Sequence, residues 1–351
     1  SDIDLLFILP YRQTPWSESV AEYMLYLLWD LGLKVGHATR TVSQCVSLAR
    51  SDMTIRTSLL DTRYLLGDRE LFEDFETRFR EDVVKGTARE FIAAKMGERE
   101  SRHAQTGESR YRVEPNVKDG KGGLRDLHTL HWLSSYVYGC GLDGEDLPKG
   151  VFEDEEIKTF HRSEDFLWTV RCHMHFERGR ADERLSFDLQ PVIAEKLHYR
   201  EGDDLLPVER FMRHYFLVAK DVGELTAILC SSLEMQQLAI APRFNQFLNP
   251  LIWTVRRKIR QTTEFRVDND RLYVASRDLF ERDPVNLLRI FRLAADAGTF
   301  LHPSALRLIR DNLRLIDDRL RNDSVANQIF LSLLVDNKRP ERTLRRMSEI
   351  G

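Results

Sequence analysis

The residues that most restrict what this chain can become are Asp2-Ile3-Asp4 and the five apolar residues that follow, Leu5-Leu6-Phe7-Ile8-Leu9. Side chains at i and i+2 of a β-strand share a face. Asp2 and Asp4 therefore project together from the head of a strand whose remainder is buried. Carboxylates held that close repel each other, and a cation between them relieves the repulsion. Mg²⁺ is commonly held by one or two carboxylates together with substrate phosphates. Two readings fit: a metal-dependent phosphoryl- or nucleotidyl-transfer site, or simply a polar strand start.

The next segments predict a compact α/β unit. Ser17 is a plausible N-cap for a helix carrying Val20, Met24, Leu27, Leu28 and Leu31 at helical spacing, which Gly32 stops. Leu33 to Thr41 is β-compatible, and Thr41 or Ser43 can cap a short helix through Arg50. Thr54 to Leu66 reads as a longer strand with Ile55, Thr57, Leu59 and Asp61 on one face. From Leu71 a helix is expected to run to Met96. Glu98 to Ser109, charged and with little to bury, reads as a linker. Helices are expected over Leu127 to Tyr138, Glu153 to Arg178, Leu189 to Tyr199 and Val208 to Leu238, resembling an antiparallel bundle. A Gly/Asp-rich loop covers Gly139 to Gly150, and Pro242 to Pro250 is a break. Phe265 to Val274 carries a hairpin signal around Asn269-Asp270. Pro284 to Ala297, Ser304 to Leu320, Ser324 to Leu334 and Pro340 to Ile350 read as four more helices.

Composition narrows the function classes. The 351 residues are 42% hydrophobic and 31% charged, as in a helix-rich globular protein. A net charge of −4 argues against a general nucleic-acid binder. Cys45, Cys140, Cys172 and Cys230 lie far apart without a C-x-x-C pair, which favours reduced thiols and a cytoplasmic location over a disulfide framework or zinc site. No apolar run approaches the roughly 20 residues that span a membrane. The chain opens without methionine inside an apparent strand, which reads as a piece of a longer protein.

Chemistry with two metal ions needs more carboxylates than one strand supplies. Asp61 is the best candidate for a third; a salt bridge to Arg56 or Arg63 is the competing role. Downstream, Glu114-Pro-Asn-Val-Lys118-Asp-Gly-Lys121-Gly122-Gly123-Leu-Arg125-Asp126 places three glycines and three cations just before a helix. Backbone N–H groups at such a turn suit a phosphate, and Arg grips phosphate oxygens with a planar fork. A flexible glycine-rich loop with solvated lysines is the alternative. His173 and His175 point about 200° apart on a helix, which argues against a shared metal. His128 and His131 can meet but have no obvious acid partner, so a core or surface role is the simpler reading. The aromatic residues of the 153–178 helix read as core.

Taken together these stretches resemble a known family. Ser1-Asp-Ile-Asp-Leu-Leu-Phe7 resembles the acidic motif of polymerase-β-like nucleotidyltransferases, and Asp52 to Asp68 looks like one branch of that superfamily. Glu114 to His128 is similar to the signature of the bacterial PII uridylyltransferase/uridylyl-removing enzymes. Phe280 to Arg289 and Pro340 to Glu349 fit the segment before that family's HD domain. The resemblance implies transfer of UMP from UTP to a tyrosine of the trimeric signal protein PII, releasing pyrophosphate, with Mg²⁺ or Mn²⁺ as cofactor. It implies that Asp2 and Asp4 are the metal-binding pair, with Asp61 as the third ligand. Ser1, Lys118, Gly122, Gly123, Arg125 and Asp126 are then expected to bind the nucleotide or organise its site. In the family a Gly-Gly-containing helix start precedes the Asp pair, an HD domain removes UMP, and ACT domains sense glutamine.

The expected fold is α+β: a small nucleotidyltransferase sheet with helices, then a mostly helical bundle. The expected domains are 1–98, nucleotidyltransferase; 99–241, helical and of PII-uridylyltransferase type; and 242–351, a hairpin plus helices leading toward the HD domain. Two rivals remain: a sister nucleotidyltransferase using ATP on another protein or a tRNA end, and a non-catalytic regulatory module of the same fold.

Overall fold

A computed structural model describes residues 3–106, 112–140, 147–200, 205–240, 263–268, 271–336 and 340–350. The expected α+β class is borne out: short sheets stand among many helices. Strand β1 (Ile3–Leu9) pairs in parallel with β2 (Val35–Thr41) through the crossover helix α1 (Pro15–Asp30), in a register that sets Asp4 opposite Gly36. Thr14, not Ser17, is the N-cap of α1. Ser17 sits at N3 and closes the capping box, so the helix starts two residues before the expected cap. Thr41 caps α2 (Val42–Ser51) by accepting from the Gln44 amide, as expected.

Thr54 to Leu66 forms no strand. Met53–Leu60 is helix α3, capped by Asp52, whose carboxylate accepts from the amides of Thr54 at 2.7 Å and Ile55 at 3.0 Å. Ile55, Thr57, Leu59 and Asp61 at alternate positions suggested a strand. The Thr57 hydroxyl donates to the Met53 carbonyl at 2.8 Å, and Arg56 reaches the carbonyls of Ala49 and Arg50 on α2. These side chains serve the helix and its packing. The first hydrophobic cluster joins Val42, Cys45, Val46 and Ala49 to Leu59, Phe75 and Phe79, with Leu6 and Ile8 of β1 against it.

The helix expected from Leu71 to Met96 is broken. Helix α4 (Arg69–Phe79) runs into a π-turn over Arg80–Val84, and the chain turns at Gly86, φ 83°, before α5 (Ala88–Thr106). The expected linker from Glu98 is also helical as far as Thr106, and residues 107–111 lie outside the described residues. Two of its side chains, Arg99 and His103, are buried, each exposing 6% of its surface, while Glu98 and Glu100 face out. The expected boundary at 98/99 thus falls inside α5, whose Phe91 and Ile92 belong to the second cluster.

That cluster is built from α5, α6 (Leu124–Tyr138), α7 (Asp154–Arg178), α8 (Leu189–Lys196) and α9 (Pro207–Ile240). Residues 141–146 of the Gly/Asp-rich loop and 242–250 of the break lie outside the described residues. The hairpin is borne out: β3 (Phe265–Asp268) pairs antiparallel with β4 (Arg271–Val274), though Asn269 and Asp270 are not among the described residues. Helices α10 (Leu279–Arg282) and α11 (Asn286–Ala297) follow. A third strand, β5 (Phe300–Leu301), pairs parallel to β4 and escaped the sequence reading because it is two residues long. The helix expected over 304–320 is split into α12 (Pro303–Asp311), a 3₁₀ turn and α13 (Asp318–Asn322), the last capped by Asp317. Helices α14 (Ser324–Val335) and α15 (Pro340–Ile350) complete the third cluster. Buried Glu156 on α7 joins the second and third clusters by accepting from Arg307 at 2.9 Å and Arg310 at 3.2 Å.

Candidate functional site

Asp4 stands at the exposed head of β1, and its Oδ1 lies 2.6 Å from where a Cβ on Gly36 would be. A Cβ there would meet the movable end of the Asp4 side chain rather than backbone. Asp4 has no hydrogen-bond or ion-pair partner among the described residues. An exposed, unneutralised carboxylate suits a divalent cation. Ser1 and Asp2 lie outside the described residues.

Asp61 is the C-cap of α3 rather than a mid-strand residue, so the sheet does not carry it toward Asp4 as expected. Its Oδ2 accepts the Trp132 indole N–H at 2.6 Å, and its Oδ1 lies 3.8 Å from His131 Nε2. Burial raises the pKa of its carboxyl, opposed by the Trp132 hydrogen bond and by His131. The acid partner that His131 lacked in the sequence is therefore Asp61, 70 residues upstream. Arg56 and Arg63, the alternative partners of Asp61, make no ion pair with it among the described residues; Arg56 pairs with Glu90 at 3.5 Å.

The glycine-rich turn is closed on itself. Asn116 Oδ1 accepts from the amides of Lys118 at 3.0 Å and Asp119 at 2.6 Å. The amides of Gly123, Leu124, Arg125 and Asp126 donate to the carbonyls of Gly120, Val117, Lys118 and Gly123. The Gly122 amide donates to Asp126 Oδ2 at 2.9 Å. These amides are committed, so the expected backbone cradle for a phosphate is not what the turn offers. The glycines permit close approach. A Cβ on Gly122, at φ 82°, would stand 2.8 Å from Ala219 Cα on α9, and one on Gly123 would stand 2.6 Å from the Val117 carbonyl oxygen. What the turn presents is side chains: Lys118, half-buried, and Arg125, whose guanidinium lies over the Trp132 ring at 5.7 Å.

Asp126 anchors this turn from inside. It is fully buried, and its Oδ1 meets Arg102, His103 Nε2 at 3.0 Å and Arg99 Nε at 3.4 Å, all from α5. Burial alone would raise its carboxyl; Arg99, His103 and Arg102 outweigh that and hold it well below the usual carboxylate range. Asp126 thus organises the turn and shows no outward face. Among the described residues, no three His, Cys, Asp or Glu side chains converge as a metal site.

A family model for GlnD PII-uridylyltransferase matches residues 90–230, and one for the uridylyltransferase GlnD third domain matches 265–351. Proteins named bifunctional uridylyltransferase/uridylyl-removing enzyme from Nitrobacter winogradskyi, a Bradyrhizobium species and Nitrobacter hamburgensis are each 54% identical over 100% of this chain. The chain belongs to the GlnD PII-uridylyltransferase family. It spans 38% of the length of those curated relatives. No solved structure matches it. Among the described residues no helix is long and apolar enough to cross a membrane.

Within the part matched by the GlnD family model, sequence reasoning passed over His131 and Trp132 as partners of Asp61, and Arg99, Arg102 and His103 as partners of Asp126. The i, i+3 and i, i+4 spacing of Arg99, Arg102 and His103 was a visible signal that one helix face carries three cationic or polar groups.

Proposed function

We propose that this chain transfers UMP from UTP to a tyrosine of the signal protein PII, releasing pyrophosphate. The observation that carries the reading is 54% identity, over all 351 residues, to enzymes named for uridylyl transfer. The unpaired Asp4 carboxylate supports it, because such a group at a strand head is suited to a cation. Asp2 and Asp4 would hold Mg²⁺ or Mn²⁺, and Asp61 Oδ1, the oxygen not bonded to Trp132, would be the third carboxylate oxygen. Such a cation, when bound, supplies neutralisation of the charge that builds on the leaving pyrophosphate.

The tyrosine oxygen attacks the UTP α-phosphorus in line, forming the new O–P bond as the bond to the β-phosphate oxygen breaks. Lys118 and Arg125 hold phosphate oxygens. Gly122, Gly123 and Asp126 keep the turn that presents them, and Ser1, which precedes Asp2 in the sequence, is assigned to nucleotide binding. The helical part after residue 127 receives PII. Labelling of PII from UTP carrying a radioactive α-phosphate tests the reading. The chain with Mg²⁺ should label PII, and the variant carrying Asp2→Asn and Asp4→Asn should be folded by circular dichroism and inert. A doubly changed variant that still labels PII, or a wild-type chain that never does, sinks it.

A further inference from the structure

The face where α6 meets α7 holds cationic side chains that three separate segments deliver to one place. Lys118 comes from the loop before α6, Arg125 from the first turn of α6, and Arg171 from the middle of α7. All three act on a single imidazole, His128. Burial first, then Arg125, His131, Arg171 and Lys118, push its pKa down to about 4. His128 is therefore a neutral ring in a positive field at neutral pH.

The cations are held in place. Arg125 lies over Trp132 at 5.7 Å and Arg171 over Trp168 at 5.0 Å, which fixes each planar fork. The His128 ring stands 5.9 Å from Trp132 and 6.2 Å from Trp168. The Arg125 amide donates to the Lys118 carbonyl at 2.8 Å, so these two residues keep a set spacing. All six side chains are half-buried, neither locked in the core nor freely solvated.

Their charge is only partly balanced. Glu183 grips Arg171 at 2.8 and 2.9 Å and lies 3.5 Å from His175. Asp119 stands a loose 3.8 Å from Arg125. Lys118 has no carboxylate within ion-pair distance among the described residues. Glu183 takes the Nε and Nη2 side of Arg171, so the Arg125 fork, the Lys118 ammonium and the Nη1 group of Arg171 are the donors offered, still more than one phosphate oxygen accepts.

We propose that this face binds a diphosphate group, with Lys118, Arg125 and Arg171 as its cationic contacts and His128, beside Trp132 and Trp168, as a ring N–H donor. That the diphosphate belongs to a nucleoside triphosphate rests on the proposed uridylyl transfer; the diphosphate chemistry itself does not.

Titration with inorganic pyrophosphate, followed by fluorescence of Trp132 and Trp168 and by calorimetry in chelator, tests it without any metal site. The wild-type chain should bind pyrophosphate more weakly as ionic strength rises. Lys118→Ala should weaken binding about tenfold or more, as for loss of one charged hydrogen bond. Arg171→Lys, which keeps the charge but loses the Nη1 donors beyond Glu183, should weaken it too, while Lys158→Ala, on the far exposed start of α7, should not. UMP should bind more weakly than pyrophosphate or UTP. A wild-type chain without pyrophosphate binding overturns the proposal. So does unchanged affinity in both Lys118→Ala and Arg171→Lys, or UMP binding as tightly as pyrophosphate. Pyrophosphate binding that survives in a chain unable to label PII would sink the transfer reading and leave this one standing.

Discussion

Replacing Asp126 by Asn probes how the glycine-rich turn is held. The substitution keeps the side chain's shape and removes its charge. Asp126 is 0% exposed, and Arg99, Arg102 and His103 around it expose 7%, 15% and 7% of their side chains. Two guanidinium groups are then left buried without their counter-charge, and the Gly122 amide competes with them for one remaining carbonyl oxygen. Removing one partner of a buried ion pair costs about 3–5 kcal/mol. With a urea slope of about 2 kcal/mol per molar, the unfolding midpoint should fall by roughly 1.5–2.5 M.

Arg102→Gln should cost less, because Arg99 and His103 still face the carboxylate. The double variant should cost less than the two single effects combined. The pH dependence has a definite sign. The folded carboxyl is held below its ordinary 3.8, so its contribution is fully present above that value and fades as pH falls further. The gap between wild type and Asp126→Asn should therefore narrow below about pH 4. Urea unfolding followed by circular dichroism at pH 7 and in acid measures both. An Asn variant that unfolds at the wild-type urea concentration refutes the reasoning. So does one of unchanged stability that has lost pyrophosphate binding, because Asp126 would then touch the ligand.

Two other perturbations test the packing. Gly122→Ala must adopt φ 82° and set its Cβ 2.8 Å from Ala219, so it should lose at least about 2 kcal/mol in chemical denaturation; an unchanged midpoint would mean the turn does not press on α9. Glu224, 8% exposed on α9, has its carboxyl pushed up to about 7 by burial, which Lys220 and Arg310 only partly offset. A raised folded pKa means stability that is full below the ordinary 4.5 and is lost as pH rises through about 7, on the order of 3 kcal/mol. Glu224→Gln should therefore match wild type near pH 5 and exceed it at pH 8 in thermal unfolding, and a variant weaker at pH 8 would contradict this.

The amino-acid sequence by itself determined whatever depends on neighbours three or four residues away. Helices α6, α7, α8 and α9 follow from apolar spacing, and the 265–274 hairpin from its turn residues. Asp2-Ile3-Asp4 and the Gly122-Gly123 turn were visible as motifs, and the signature from Glu114 to His128 pointed to the family. The tertiary structure decided what joins distant segments. Glu98 to Thr106 looked like a solvated linker because its counter-charge, Asp126, lies more than 20 residues downstream. Buried against that carboxylate, the same charges make a packed helix face.

Thr54 to Leu66 was misread because the alternation of Ile55, Thr57, Leu59 and Asp61 was followed rather than the cap at Asp52, and the burial of Arg56 against α2 appears only in the fold. That error also misplaced Asp61, which ends a helix and meets Trp132 across 71 positions of chain. The glycines of the turn were legible, but their reason was not: the approach of α9 at Ala219 is a contact across nearly a hundred residues. Local propensity is carried by short-range sterics and hydrogen bonds, which a sequence displays directly. Charge pairing and close packing between remote segments depend on the fold, and only there did the α6–α7 face gather its cations.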